Sequence, residues 1–116
     1  MAEQGTINSR SEVTTQGTIA ATPGSTVTLT ITGGRQLLYA SWTSGESESV
    51  VIDGAQTAGS TLTLKITNDA TLPRVITFGT GFKSIGVITG TVSKAAMITF
   101  VSDGTNFYEL SRTLVL

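Results

Sequence analysis

Apolar and polar side chains alternate along most of this chain. Between Ser25 and Ile31, Val27, Leu29 and Ile31 fall on one face and Thr26, Thr28 and Thr30 on the other. Between Thr61 and Ile66, Leu62, Leu64 and Ile66 point one way and Lys65 the other. Successive side chains of a strand project to opposite faces, so this period of two predicts half-buried β-strands. Similar runs predict strands at Thr18–Ala21, Leu37–Thr43, Glu48–Ile52, Arg74–Phe78, Ser84–Ile88, Ala96–Val101 and Asn106–Arg112. Between them stand Pro23-Gly24, Gly33-Gly34, Asp53-Gly54, Gly79-Thr80-Gly81 and Asp103-Gly104, residue types suited to tight or positive-φ turns. No window has the apolar spacing and caps of an amphipathic helix, so none beyond a single turn is expected. About eight or nine short strands at roughly 8–12 residue spacing predict an all-β sandwich or barrel. The expected form is an antiparallel, jelly-roll-like β-sandwich over residues 17–116, because that architecture limits exposed edges.

Two segments stand apart from this pattern. Thr26–Thr32 and Thr61–Thr67 look alike 35 residues apart. Their flanks differ, and alternating strands generate such matches unaided, so no repeat is expected. Residues 1–16 are polar, with Ile7 and Val13 the only apolar residues after the first two. They read as an extended N-terminal arm, either a frayed end or a segment that docks on a partner. In the second case Ile7, Arg10 and Val13 are the candidate contacts. At the other end, Leu114, Val115 and Leu116 either complete the last strand or contact another chain or a capsid.

Composition narrows the function. The chain has 116 residues, the size of one ordinary domain. Only 13% are charged, the net charge is −1, and no block of like charge occurs. Nucleic-acid binding through displaced counterions and attraction to an anionic membrane both need clustered Lys and Arg, so neither is expected. With no Cys and no His, disulfides, thiolate nucleophiles, zinc-thiolate sites and every Ser-His-Asp or Cys-His arrangement are excluded. The polar, acidic start is unlike a secretory signal, and no apolar run reaches the roughly 20 residues that span a bilayer. The reading is a non-enzymatic protein with no cofactor and no metal.

The remaining candidates are weak beside their structural alternatives. Glu46 and Glu48 are two apart and could share a strand face as an acid/base pair, but Gly45–Ser49 reads as a solvated hairpin tip. Gly79–Ser84 lacks phosphate-loop spacing and a following helix, so it reads as a turn carrying Phe82. Asp53-Gly54 and Asp103-Gly104 lack alternating oxygen ligands and read as plain turns rather than calcium sites. Trp42, Tyr39, Phe107 and Tyr108 could line a carbohydrate surface, although a strand aromatic is more often core or subunit interface.

The stretch Lys94–Arg112, containing Ile98-Thr99-Phe100-Val101-Ser102-Asp103-Gly104-Thr105-Asn106-Phe107-Tyr108-Glu109-Leu110-Ser111-Arg112, resembles an ending common among tailed-phage virion proteins. Thr61–Asp69 and Val75–Lys83 look like the same group, so the resemblance covers residues 36–112. It occurs in small head-decoration proteins and in terminal domains of tail-fibre and adhesin-like proteins. Physically the ending predicts a β-hairpin closed by Ser102–Thr105, with Tyr108 and Leu110 directed to the core. The group supplies no catalytic residues. The resemblance implies a capsid decoration (cement) protein, assembled in the host cytoplasm, bound to the major capsid protein on the virion surface and commonly a homotrimer. The alternative is a receptor- or glycan-binding module of a tail or head fibre. A chain of this length beginning with its own Met is short for a fibre, which favours decoration.

Overall fold

The computed structural model describes residues 15–32 and 34–116. Ten strands run in chain order: β1 (Thr15–Thr18), β2 (Thr26–Thr30), β3 (Gln36–Ser44), β4 (Glu48–Asp53), β5 (Thr61–Asn68), β6 (Val75–Phe78), β7 (Phe82–Lys83), β8 (Ile88–Thr89), β9 (Ala95–Ser102) and β10 (Phe107–Thr113). They form a six-stranded sheet in the order β1-β3-β5-β9-β10-β7 and a four-stranded sheet in the order β2-β4-β6-β8. The described residues contain no helix.

After each early strand the chain does not fold back beside itself. It crosses to the other sheet and returns one level further on. Thus β1 pairs parallel with β3 and β3 with β5, while β2 pairs parallel with β4 and β4 with β6. The result is a β-solenoid of about 4 turns, and it overturns the antiparallel jelly-roll-like sandwich expected from the sequence. The reason is physical. Alternation fixes which face of a strand is buried, but not which strand lies beside it or in which direction. Parallel neighbours need a long crossover, and here the intervening strand of the other sheet is the crossover, so short turns suffice. Antiparallel pairing is confined to β5–β9, β9–β10 and β6–β8.

The repeat of the solenoid is uneven. Thr15 lies opposite Gln36, Thr26 opposite Ser49, Leu37 opposite Thr61 and Glu48 opposite Ile76. The lookalike segments Thr26–Thr32 and Thr61–Thr67 sit in different sheets and are not equivalent positions. Two local expectations also change. Residues 84–87 form a loop between the two-residue strands β7 and β8 instead of a strand. The first strand begins at Thr15, inside the segment assigned to the arm.

Inward side chains of both sheets meet in one core that includes Val27, Leu29, Leu38, Trp42, Leu64 and Ile98. Phe78 and Phe82 pack on Phe100 with ring centroids 5.3 and 4.9 Å away. Leu64 and Phe100, the inward residues of β5 and β9, are wholly buried. Asn68 is buried at a corner, where its Nδ2 donates to Leu72 O at 2.7 Å and its Oδ1 accepts from Arg74 N at 2.7 Å. At the following turn the Arg74 guanidinium donates to both oxygens of Asp69, at 3.1 and 2.8 Å, and holds that carboxyl below its ordinary pKa. Only glycine fits at position 54, where φ is +106° and a Cβ would stand 2.2 Å from Ile31 O.

Candidate binding surface

The predicted hairpin forms: β9 and β10 pair antiparallel around Ser102–Thr105, but the pairing shifts between Thr99 and Phe100. Phe100 faces Glu109 and Thr99 faces Ser111, so Leu110 is an extra residue on β10. In a regular strand, residues three apart point to opposite faces. The bulge at Leu110 instead brings Glu109 and Arg112 together. It also corrects the expectation for Tyr108 and Leu110: both are exposed, and Phe107 is the buried aromatic of this strand. Val101 faces Tyr108 and Ser102 faces Phe107, so the inward position of Phe107 turns Tyr108 outward.

Glu109 and Arg112 form a clamp whose side chains are only 2% and 14% exposed. Arg112 Nη2 donates to Glu109 Oε1 at 2.7 Å, and its Nε donates to Oε2. This guanidinium hydrogen bond holds the Glu109 carboxyl below the usual carboxylate range, against the opposing effect of burial, and raises Arg112 in turn. The same two side chains grip the loop between β7 and β8. Ile85 N donates to Glu109 Oε1 at 3.2 Å, while Arg112 donates to Gly86 O at 2.9 Å and to Val87 O at 3.2 Å. Gly86 supplies the positive φ of 143° that the loop needs.

A loop held this firmly displays apolar side chains instead of burying them. Ile85 is 77% exposed, Val87 53% and Leu110, on the adjacent strand, 62%. Beyond β10 the chain continues beside the start of β9, with Leu116 N donating to Ala95 O at 3.0 Å and Ala95 N to Leu116 O at 3.3 Å. The backbone of the C-terminus thus completes the chain's own sheet, while Leu114, Val115 and Leu116 keep their side chains at the surface. Clustered exposed apolar side chains mark interaction surfaces, whereas isolated ones do not. Ile85, Val87 and Leu110, gathered around the clamp, form an apolar ridge at the C-terminal end of the solenoid, and the exposed Leu114, Val115 and Leu116 follow it along the chain.

The other candidates separate. Ile7, Arg10 and Val13 lie outside the described residues. Glu46 is exposed and Glu48 is buried, so the two do not form a carboxylate pair. Asp103 Oδ1 accepts the N–H groups of Asn106 and Thr105, which hold its carboxyl below the ordinary range in a tight turn. Among the described residues no three His, Cys, Asp or Glu gather as metal ligands. Trp42 and Phe107 belong to the core, whereas Tyr39 and Tyr108 are exposed on the first sheet. Sequence reasoning missed Ile85 and Val87, which alternation assigned to a strand, and the clamp, whose three-residue spacing carries no strand signal.

Comparison of the chain with family models, with curated proteins and with solved structures finds no match.

Proposed function

We propose that this chain is a non-enzymatic structural protein of a tailed-phage virion that decorates the capsid. It docks on the major capsid protein through the C-terminal apolar ridge. The observation that carries this reading is the clamped loop: a buried ion pair fixes Ile85 and Val87 in place while their side chains stay largely exposed. Preorganised apolar anchors lose little entropy on binding, so they suit a docking role. The low charge of the chain fits a surface that must shed water on contact. The resemblance of residues 36–112 supplies the virion context, the capsid-surface location and the homotrimer.

Electron microscopy of virions from the encoding phage, labelled with antibody against this chain, tests the assignment. Label over the heads is the expected result. Label confined to the tail fibres, or virions without the protein, would overturn it.

A further inference from the structure

We infer that the outer face of the first sheet binds a neutral polysaccharide, laid across the strands between Tyr39 and Tyr108. Residues directly paired across strands share a face, so the registers define two outward rows. One runs Leu37, Thr61, Val101, Tyr108, Lys83, and the other Thr18, Tyr39, Thr63, Thr99, Ser111. Tyr39 is 38% exposed and Tyr108 43%. They stand three strand steps apart, roughly 15 Å at about 4.8 Å per step, the reach of a short oligosaccharide. A shallow groove of about 560 Å³ lies beside Tyr39, with Thr18, Thr63 and Met97 along it.

Three features select the ligand class. Tyrosine rings offer apolar faces for the C–H face of a sugar ring, and their hydroxyls remain available for hydrogen bonds. The positions between them are mostly Thr or Ser, whose hydroxyls both donate and accept, as sugar hydroxyls do. A protein partner would have to satisfy each of those hydroxyls with a matched group, whereas a polysaccharide carries its own. Between the two tyrosines these rows hold no charged residue, since Lys83 continues the first row only beyond Tyr108, so the stretch a sugar chain would cross suits an uncharged polymer. Leu110 of the C-terminal ridge borders this face between Tyr108 and Ser111, but the inference does not depend on the capsid reading.

Affinity electrophoresis of the full chain tests it, in gels containing dextran, soluble starch, hydroxyethylcellulose or galactomannan. At least one polymer should retard the protein. Tyr39→Ala and Tyr108→Ala should each weaken retention about tenfold, the size of one stacking contact, and together abolish it. Thr63→Lys, an outward change on the same row, should also weaken it, while Ile85→Asp on the ridge should not. Thermal melting identifies variants that remain folded, and Thr63→Lys decides the matter if a tyrosine variant does not. The inference is overturned if no polymer in the panel retards the protein, or if retention survives both tyrosine substitutions. It is equally overturned if those substitutions dissolve an oligomer in light scattering, which would assign the face to a second copy of the chain.

Discussion

Glu109 and Arg112 lie three apart on one strand yet share a face, because Leu110 bulges between them. Removing one partner leaves the other charge buried without compensation, which costs far more than the pair contributes when intact. Arg112→Leu should therefore destabilise the fold by about 3 kcal/mol, measured by urea unfolding. Hydrogen exchange at Ile85 N–H should accelerate in the same variant, since its acceptor is Glu109. Unchanged exchange at Ile85 would show that the clamp does not hold the loop.

The same pair sets a pH dependence. The folded pKa of Glu109 is lowered from its ordinary value of 4.5, chiefly by the Arg112 hydrogen bond. A depressed carboxyl contributes stability that is fully present above the unfolded pKa and is lost as pH falls through the folded one. Asp69 and Asp103 are lowered as well and act with the same sign. Stability should hold on descending to about pH 5 and then decline through the acid range. Glu109→Gln should start lower at neutral pH and decline less steeply. Parallel pH profiles for the two proteins would contradict this assignment.

Inside the solenoid, Trp42 Nε1 donates to Glu48 Oε1 at 2.8 Å, and Gly24 N donates to Oε2 at 3.2 Å. Glu48→Ala would leave the indole N–H buried without a partner, at a cost of about 1–3 kcal/mol for that donor alone. Glu48→Gln keeps a carbonyl acceptor and should lose less. Trp42 is the only tryptophan, so its fluorescence during denaturant unfolding reads both variants directly.

The buried face of nearly every long strand was legible in the sequence. Val27, Leu29, Leu62, Leu64 and Ile66 alternate and are buried as the pattern requires. Strand direction was not legible. A parallel solenoid and an antiparallel sandwich bury the same alternating residues, and the only sign that separates them is a repeat of fixed period. Here that repeat is stretched, since Thr26 answers to Ser49 but Glu48 answers to Ile76, and the more visible likeness of Thr26–Thr32 to Thr61–Thr67 joins different sheets. Sequence pointed to Leu114, Val115 and Leu116 but not to Ile85 or Val87. Their exposure depends on a clamp made by residues more than twenty positions away, and on a bulge with no mark in the sequence.

The proposed capsid docking is tested most directly by cosedimentation of the purified protein with undecorated capsids of a tailed phage whose genome carries this gene, comparing the natural chain with Ile85→Asp and Leu110→Asp. Both positions are largely exposed, so each variant should stay within about 0.5 kcal/mol of the natural stability. The account predicts saturable binding by the natural chain and strongly reduced occupancy for both folded variants. Full occupancy by either variant would contradict it, because the ridge would then not be the surface that meets the capsid.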